Sequence, residues 1–479
     1  MSGTSSSTRE LLDARAGEIA VVGLGKSGSA VSELLARRGQ RVYASDAVNA
    51  PAVTEQASAL RDKGVAVDVG SHDLARIGAA SLVVASPGVP PHAAPLAAAR
   101  ERGVPVVSEI EIALACLPSL RYIAITGTNG KTTTTAIVGH LLRALGYDAP
   151  DAGNIGTPLS ALALRDHPPP WTALELSSFQ LHDTPGVAPT VGVVTNLSPD
   201  HLDRYASVDE YYEDKARLFR NAGARSRWVL NADDPGTLAL PQRLAGAAWS
   251  GGPLPGARHV FSAAGALDAE AFFARDRGEL VVLGQPLMRR DEFALFGDHN
   301  VANALAAALA VMVADDRHRT PAARARIAEG LREFRALKHR LEPVGTFGGV
   351  EWVNDSKATN VSSTLVAVQG MMRPTILLLG GRHKGEPYTA LVEPLRRIGK
   401  VVLAYGEAAP QIEHDLKGHV PLERLGSSFD EVIARARVLA APGDVVLLSP
   451  ACSSYDMFRN YEERGAVFRT LAAQGAAAK

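Results

Sequence analysis

The sequence of 479 residues is poor in cysteine and in net charge, and each shortage excludes a class of protein. Two cysteines, Cys116 and Cys452, are too few and too far apart for a disulfide framework or a zinc site. A net charge of -1 leaves no overall field that would attract nucleic acid or acidic lipid, so any phosphate recognition must be local. The polar N-terminus lacks the apolar segment of a signal peptide, and no apolar run is long enough to span a bilayer. We therefore expect a cytoplasmic protein whose partners include neither nucleic acid nor a membrane.

Short runs of Val, Ile and Leu alternate along the chain with helical stretches rich in Ala, Leu and Arg. This pattern is typical of mostly parallel β-sheets covered by helices, and it predicts an α/β fold. It occurs in three blocks, and the length of the chain also favours about three domains. We predict a Rossmann-like domain over residues 1–118, a central P-loop domain with a mostly parallel sheet over 119–337, and a second Rossmann-like domain over 338–479. In such sheets ligands bind at the carboxyl ends of strands, so polar residues there are candidates for function.

The most informative segment is residues 123–133, in which a short apolar strand opens into a glycine-bracketed turn that ends in Lys-Thr. The glycines, Gly127 and Gly130, allow backbone N–H groups to converge on phosphate oxygens. Lys131 supplies a cation for the outer phosphates, and the Thr132 hydroxyl can hold Mg²⁺ at the start of a helix that we predict over 133–145. The loop is shorter than that of general P-loop ATPases. We interpret it as a nucleoside triphosphate site, with a plain turn as the alternative.

A second glycine turn runs from Gly23 to Gly28 after an earlier strand, and Asp46 ends the next strand. The pattern G-x-G-x-x-G is compatible with an NAD-dependent oxidoreductase, but a related sheet can bind the pyrophosphate of another nucleotide in the same way. Nothing downstream resembles a hydride-transfer site, and the P-loop would then be unexplained. The turn from Ser86 to Gly88 either forms the other wall of the crevice or is a plain turn.

Three further segments contain candidate residues, namely Glu175, His201 and Lys215. Glu175 ends an apolar strand, where a carboxylate is costly unless it is paired or binds a metal ion, and we favour Mg²⁺ ligation. His201 follows another strand and is flanked by Asp200 and Asp203, so a structural role and a functional role are both compatible with it. Lys215, in the segment YYEDKARLF, has the pattern of an exposed helical lysine, and most such lysines only increase solubility.

Nine segments follow one another along the chain: GTNGKTT, GNIGTP, ELSSFQL, NLSPDHLDRY, GDHNVANALAA, KHRLEPV, NDSKATN, LLLGGRHKG and LSPACSSYDMFRNYEERG. In content and in order they resemble the Mur ligase family, and the resemblance covers nearly the whole chain. The last three segments are the most specific. Together with the N-terminal GLGKSG, the last segment is most similar to the branch of the family that adds D-glutamate.

The resemblance implies an ATP-dependent ligase that adds D-glutamate to UDP-N-acetylmuramoyl-L-alanine through an acyl phosphate, in cytoplasmic peptidoglycan precursor synthesis. It also implies two Mg²⁺ ions and a carbamylated lysine at Lys215, and we expect a monomer. Three alternatives stay open: a ligase of the same scaffold that adds another amino acid, an oxidoreductase that uses the GLGKSG block, and a P-loop switch or motor. The polar strand ends give no basis for the macromolecular partner that a switch or motor needs.

The resemblance further implies roles for individual residues. The catalytic candidates are Lys131, His201, Lys215 and Lys357. The candidates for binding the UDP-substrate are Gly25, Lys26, Ser27, Asp46, Ser86, Gly88, Asn154 and His201. Those for ATP are Gly127, Thr128, Asn129, Gly130, Lys131, Thr132, Thr133, Asn300, Asn303, Arg340 and Asp355. Those for D-glutamate are Thr359, Lys384, Ser454 and Tyr461, and the candidate metal ligands are Thr132, Glu175, His201 and Lys215 as its carbamate. The family often has Phe at the position of Tyr461 and Leu at that of Tyr455.

Overall fold

The computed structural model describes residues 5–14, 17–200, 204–244, 252–266, 268–295 and 297–474. The chain forms two compact units. The first comprises Met1–Leu197, Asp209–Arg289 and Asn303–Leu331, and the second comprises Ser198–Val208, Arg290–Ala302 and Arg332–Lys479. Within the described ranges, the strands form three sheets, of which the first unit contains two and the second unit one.

The first sheet of the first unit has five parallel strands: β1 Glu18–Val22, β2 Arg41–Asp46, β3 Ala66–Val69, β4 Leu82–Ala85 and β5 Val106–Ser108. Their order in the sheet is β3-β2-β1-β4-β5. The helices of this region are α1 Ser5–Ala14, α2 Lys26–Arg37, α3 Pro51–Arg61, α4 Leu74–Gly78, α5 Ala94–Glu101 and α6 Glu109–Cys116. Because β1 lies between β2 and β4, the direction of winding reverses there and a crevice opens at the carboxyl ends of β1 and β4.

The second sheet of the first unit has nine strands: β6 Arg121–Thr126, β7 Asp151–Gly153, β8 Trp171–Glu175, β9 Val191–Val194, β10 Arg227–Asn231, β11 Ala257–Ser262, β12 Ala271–Ala274, β13 Glu279–Val282 and β14 Gln285–Arg289. Their order is β14-β13-β12-β11-β10-β9-β6-β8-β7. The pairs are parallel from β7 to β12, and β13 and β14 add antiparallel pairs at one edge. The P-loop strand β6 is therefore an inner strand of the parallel part.

The helices that follow these strands are α7 Lys131–Ala144, α8 Leu159–Ala163, α9 Ser178–His182, α10 Val208–Ala216, α11 Pro235–Ala239, α12 Asp298–Ala314 and α13 Pro321–Glu333. Short 3-10 helices occur at Arg217–Phe219, Leu240–Arg243, Arg290–Glu292 and Asp316–Arg319. The helix predicted over 133–145 is thus confirmed, although it begins two residues earlier. Gly130 stands before it with a φ of 80°, a left-handed conformation that ends the loop abruptly and starts the helix at Lys131.

The sheet of the second unit has six strands: β15 Glu342–Phe347, β16 Val350–Asn354, β17 Thr375–Gly380, β18 Gly399–Tyr405, β19 Leu422–Arg424 and β20 Val445–Leu448. Their order is β15-β16-β20-β17-β18-β19, and only β15 is antiparallel to its neighbour. The helices here are α14 Val361–Gln369, α15 Val392–Ile398, α16 Ala409–Leu416, α17 Phe429–Leu439 and α18 Tyr461–Gln474, with a 3-10 helix at Tyr388–Leu391.

Strand β17 shows why these sheets form. All six of its residues, TILLLG, are buried, and alternate side chains enter two different cores. Leu377 and Leu379 pack in one apolar cluster, and Ile376 and Leu378 pack in another on the opposite face. Side chains alternate between the faces of a strand, so a continuous apolar run requires cover on both sides. The predicted α/β fold with mostly parallel sheets is confirmed.

Helix α6 connects the two sheets of the first unit. An oxygen of Glu109 accepts a hydrogen bond from the backbone N–H of Ser160, and one of Glu111 accepts from that of Gly186. Both carboxyl groups are almost completely buried, and burial raises the pKa of each. The predicted boundary at residue 118 therefore lies inside one compact unit, and the three domain ranges stay a prediction. Among the described helices, none has the length and apolar composition that a membrane crossing requires.

Candidate active site

The loop between β6 and α7 approaches its neighbours too closely for side chains at two positions. Gly127 has a φ of 136°, and a Cβ there would lie 2.1 Å from the Thr195 hydroxyl oxygen. A Cβ at Gly130 would lie 2.4 Å from the side-chain oxygen of Asn303. Asn303, on α12, also accepts a hydrogen bond of 3.1 Å from the Thr134 hydroxyl. The two glycines thus allow a tight backbone turn. The turn lies between the carboxyl end of β6 and the start of α7, a position that suits phosphate binding.

Two residues that the sequence analysis did not single out support this loop. The Asn196 carbonyl accepts from the N–H of Thr128 at 2.8 Å, and its side-chain oxygen accepts from the N–H of Asn129 at 2.9 Å. The Asn196 side-chain amide and the Thr195 hydroxyl both donate to the Asn129 carbonyl, at 3.0 and 2.6 Å. Both residues follow β9, which pairs with β6. The sequence shows only that these two residues follow an apolar strand. They reach the loop because that strand, β9, pairs with β6.

Two lysine ammonium groups converge on one carbonyl oxygen of the loop. Lys131 donates to the Gly127 carbonyl at 3.0 Å and to that of Thr128 at 2.6 Å. Lys215, on α10, donates to the same Gly127 oxygen at 2.8 Å. The two nitrogens are therefore within about 6 Å of each other, and two cations so close repel each other unless an anion lies near them. The loop is thus suited to a highly charged phosphate group.

Lys215 differs from the exposed lysine that its sequence pattern predicts. Its side chain is buried, with the residue only 1% exposed. Its nitrogen lies 4.4 Å from the centroid of the Tyr211 ring, one helical turn earlier. The Tyr211 hydroxyl in turn is 3.3 Å from the hydroxyl of Thr128 in the loop. The exposed interpretation is wrong because α10 packs this face against the phosphate loop.

Glu175 ends β8 and is 1% exposed, as the prediction of a buried strand end requires. One carboxylate oxygen accepts a hydrogen bond of 2.8 Å from the Asn154 side-chain amide. The other is buried and, within the part of the chain that the structure describes, has no hydrogen-bond partner. A buried carboxylate oxygen without a donor is expensive, and a bound cation is the usual remedy. Glu175 therefore fits the role of a metal ligand.

The surroundings of Glu175 suit Mg²⁺ better than a metal held entirely by protein. Among the described residues, no group of three or more His, Cys, Asp and Glu side chains forms a metal centre. Mg²⁺ usually takes one or two protein ligands and completes its shell with water and phosphate oxygens. Thr132, at the second position of α7, is a hydroxyl of the kind that such sites use. The predicted ligand His201 lies outside the described residues.

The first glycine turn lies in the crevice at β1 and β4. Gly23 has a φ of 92°, and a Cβ at Gly28 would lie 1.8 Å from the Gly23 carbonyl oxygen, so helix and turn are in direct contact. The Ser86 hydroxyl donates to that same carbonyl at 2.8 Å. The carboxylate of Asp46 accepts from the N–H groups of Leu24 at 2.7 Å and of the exposed Val48 at 2.8 Å. Three of the predicted residues adjoin open space. An added Cβ at Gly25 or at Gly88 would meet no atom within 4 Å, and Lys26 is exposed.

In the second unit, two pairs of predicted residues are in contact. Lys384, after β17, donates to the Thr359 hydroxyl at 3.3 Å. Lys357 donates to the Tyr461 hydroxyl at 3.2 Å. Ser454 is buried in the loop after β20. Its carbonyl accepts hydrogen bonds from the N–H groups of two later residues of that loop. These residues share the carboxyl-end edge of one sheet.

Asp355 follows β16 at the same edge and is buried. Its carboxylate accepts from the Leu341 N–H at 3.2 Å and from the Ser449 hydroxyl at 2.8 Å. Burial is the main cause that raises the pKa of Asp355 to about 7. Arg340 lies in the turn before β15, and its charge partly offsets that burial.

The predicted residues thus fall into three groups, in which most members follow a strand and Lys215, Asn300 and Asn303 lie on helices. On the first sheet lie Gly25, Lys26, Ser27, Asp46, Ser86 and Gly88. On the second lie Gly127, Thr128, Asn129, Gly130, Lys131, Thr132, Thr133, Asn154, Glu175, Lys215 and Asn303. In the second unit lie Asn300, Arg340, Asp355, Lys357, Thr359, Lys384, Ser454 and Tyr461. Their roles stay predictions.

Comparison with known proteins identifies the scaffold. Three family models match: Mur ligase MurD-like, N-terminal domain, over residues 17–108, Mur ligase middle domain over 125–311, and Mur ligase, glutamate ligase domain, over 339–452. The chain is 42% identical over 464 residues to UDP-N-acetylmuramoylalanine–D-glutamate ligase of Anaeromyxobacter dehalogenans, covering 96% of this chain and 98% of the relative. This chain belongs to the Mur ligase family. The enzyme of the same name from Chromobacterium violaceum is 41% identical over 471 residues, with 96% and 98% covered.

Solved Mur ligases share the fold. MurF from Acinetobacter baumannii superposes with a TM-score of 0.60 at 17% identity, covering 96% of this chain and 93% of that one. MurC from Thermotoga maritima gives 0.58 at 21% identity, covering 95% and 100%. The predicted family and its three-domain α/β architecture are confirmed. Membership of the Mur ligase family favours a ligase over the oxidoreductase and over the P-loop switch or motor.

Proposed function

We propose that this Mur ligase joins D-glutamate to UDP-N-acetylmuramoyl-L-alanine with ATP as the energy source, in the synthesis of peptidoglycan precursors. The observation that carries the proposal is the similarity, over 96% of the chain, to ligases named for D-glutamate. The MurD-like match of residues 17–108 supports the choice of nucleotide substrate. We place the reaction in the cytoplasm and expect a monomer made of the three predicted domains.

The reaction needs activation because a carboxylate is a poor acyl donor. The γ-phosphoryl group of ATP passes to an oxygen of the L-alanyl carboxylate, which breaks the bond to ADP and forms an acyl phosphate. The amine of D-glutamate then attacks the acyl carbon, phosphate leaves, and the amine loses a proton as the amide forms. Negative charge accumulates on the transferring group, so the cationic loop with Lys131 stabilises the transition state electrostatically. In this proposal Arg340 adds a further cation.

Mg²⁺ at this loop neutralises charge on the phosphate oxygens when it is bound. Thr132 and Glu175 would hold the ion at the phosphate-binding edge, and His201 would complete the predicted ligand set. The unpartnered oxygen of Glu175 supports this assignment. Asn154 donates to the other oxygen of Glu175 and keeps the carboxylate oriented, and we assign it a contact with the muramoyl part of the substrate.

We assign the binding of D-glutamate to the sheet edge of the second unit at which Lys384 lies. Its ammonium offers a cation to a carboxylate of D-glutamate, and the Thr359 hydroxyl beside it adds a hydrogen bond. Ser454 and Tyr461 complete the D-glutamate site, and Lys357 acts on the reacting carboxylate. The nucleotide of the UDP-substrate binds at the first glycine turn, whose open positions leave space for it.

We further propose that Lys215 is carbamylated in the active enzyme. Its neutral amine would add to the carbon of CO₂, forming an N–C bond and releasing a proton. The burial of Lys215 and its closeness to Lys131 support this, because both disfavour a second ammonium at the Gly127 carbonyl. The product carboxylate provides hard oxygens for a second Mg²⁺.

Two measurements test the carbamate. Lys215→Ala should be nearly inactive and should recover part of its rate with acetate, whereas Lys131→Ala should not, because it lacks a cation rather than an anion. ¹³C NMR with ¹³CO₂ should show a carbamate signal that is absent from Lys215→Ala. A fully active Lys215→Ala variant, or a bare amine in a high-resolution map of the metal-loaded, substrate-bound enzyme, contradicts the assignment.

The proposed reaction itself is tested by phosphate release across a panel. UDP-N-acetylmuramoyl-L-alanine and other nucleotide sugars are each combined with D-glutamate, L-glutamate, L-alanine or a diamino acid. We expect rapid release only with the first nucleotide and D-glutamate. Faster turnover with another amino acid shows a different ligase of this scaffold, and binding of a nicotinamide nucleotide with reduction of a substrate shows the oxidoreductase.

A further inference from the structure

The ammonium group of Lys357 rests on the side chain of Tyr461. Its nitrogen donates to the Tyr461 hydroxyl at 3.2 Å and lies 5.0 Å from the centroid of the aromatic ring. The hydrogen bond joins Lys357, which we assign to the reacting carboxylate, to Tyr461, which we assign to the D-glutamate site.

The backbones on both sides of this contact are fixed. The Ser356 hydroxyl donates to the Tyr461 carbonyl at 2.8 Å, and the Lys357 N–H donates to the His339 carbonyl at 3.1 Å. Arg464, which is fully buried, donates to the Ser356 hydroxyl at 3.0 Å and to its carbonyl at 2.8 Å. The distance between the two backbones is therefore set by a buried network, and only the lysine side chain remains to be ordered.

The Tyr461 ring also has an aromatic neighbour. The His339 ring packs edge-on against it, with centroids 6.1 Å apart and planes at 80°. His339 has a φ of 65°, and its ring nitrogen is 3.0 Å from the Asn354 side-chain amide. A Cβ at Gly465 would lie 2.1 Å from that ring nitrogen, so the backbone of α18 also confines the imidazole. A ring confined in this way presents its hydroxyl in one direction.

We propose that the Tyr461 hydroxyl is a positioning group for the ammonium of Lys357. A lysine side chain has four rotatable bonds, and binding in one arrangement normally requires all of them to be ordered. The hydroxyl and the ring order them in advance. This inference rests on the proposed function, in which Lys357 acts on the reacting carboxylate.

The kinetic test uses Tyr461→Phe, which keeps the ring and removes only the hydroxyl. We expect kcat to fall about 5- to 10-fold and the KM for D-glutamate to stay within about twofold, as for a group that acts on the transition state. Tyr405→Phe is the matched control, because it removes a buried hydroxyl from β18 of the same sheet and should leave kcat within about twofold. In a Lys357→Met background, Tyr461→Phe should have no further effect on kcat.

A second measurement does not depend on activity. The rate at which acetic anhydride acetylates Lys357 in the ligand-free protein is measured by peptide mass spectrometry, with the exposed Lys417 as internal standard. Tyr461→Phe should accelerate acetylation of Lys357 relative to Lys417, and Tyr405→Phe should not.

An unchanged acetylation rate, an unchanged kcat, or a KM increase that exceeds the fall in kcat overturns the positioning role. So does an effect of Tyr461→Phe that persists in full after Lys357→Met. If the wild-type protein does not ligate D-glutamate but the acetylation rates shift as expected, the proposed function fails while the contact between the two side chains stands.

Discussion

The two glycine turns of the first unit have the same plan but are closed by groups of opposite charge. Each follows a buried strand, and each leads into a helix whose first residue is a lysine, Lys26 or Lys131. The first turn is held by the carboxylate of Asp46, which accepts from backbone N–H groups. The second is held by ammonium groups, which donate to the Gly127 carbonyl. The charged group at the first turn is therefore an anion that accepts from backbone N–H groups, and the charged groups at the second turn are cations that donate to a backbone carbonyl.

This difference shows how one backbone plan can serve two ligands. Glycines decide how closely a backbone can approach a ligand, but the closing side chains decide the sign of the local field. A carboxylate at the first turn suits the hydroxyl groups of a sugar. The ammonium group of Lys131 at the second turn suits a triphosphate. A glycine motif alone does not predict which of these ligands is bound.

The largest effect should come from removing the cation of the second turn. Lys131→Ala should lower kcat by at least about 1000-fold with the fold intact, because the charge matters most as the phosphoryl group transfers. Lys26→Ala, at the equivalent helix start of the first turn, should act mainly on the KM for the UDP-substrate. Both are measured by steady-state kinetics, with circular dichroism as the check on folding. Similar losses of kcat in the two variants would contradict the contrast between the turns.

The second effect extends the comparison to the sheet of the second unit, where a cation also stands after a strand. Lys384→Ala should raise the KM for D-glutamate about 30-fold, which corresponds to about 2 kcal/mol for a carboxylate pair removed from water. The KM for ATP should stay unchanged. The control is Lys417→Ala, a solvent-exposed lysine on the same unit. An unchanged KM for D-glutamate places the carboxylate elsewhere.

A smaller effect is expected from the anionic closure of the first turn. Asp46→Asn keeps one acceptor oxygen but leaves either the Leu24 or the Val48 N–H without its partner. We expect the KM for the UDP-substrate to rise about 5- to 20-fold with little change in kcat. Asp62→Asn, an exposed residue after α3, is the control. A fall in kcat without a change in this KM would argue against the crevice as the nucleotide site.

The smallest effect concerns Asp355, a strand-end carboxylate that is buried more deeply than Asp46. Burial raises its pKa to about 7, well above the usual range of a carboxyl group. The stability that it contributes is therefore fully present below about pH 4 and is lost as the pH rises through 7. Compared with Asp355→Asn, the wild type should lose several degrees of Tm between about pH 5 and pH 8. Parallel Tm curves for the two proteins would show that this carboxyl does not titrate there.

The sequence predicted the sheets and the loop residues because both depend on local patterns. A run such as TILLLG needs cover on two faces, and a glycine-bracketed turn before Lys131 has few structural explanations. Three features could not be predicted from local pattern. Asn196 reaches the loop only because β9 pairs with β6, and Lys215 is buried only because α10 packs against that loop. The contact between Lys357 and Tyr461 joins residues from two separate segments.

The buried carboxylates of α6 affect the order in which the two sheets of the first unit complete their packing. Glu109 and Glu111 leave the ribosome before Ser160 and Gly186, whose N–H groups they require as donors. Until those residues are synthesised, the two carboxylates can stay hydrated only if α6 remains undocked. The first sheet therefore completes its packing only after much of the second has been translated, although domains commonly fold in the order of synthesis. A released chain that ends at residue 118 should accordingly be cut by proteases near α6, whereas the full-length protein should resist them there.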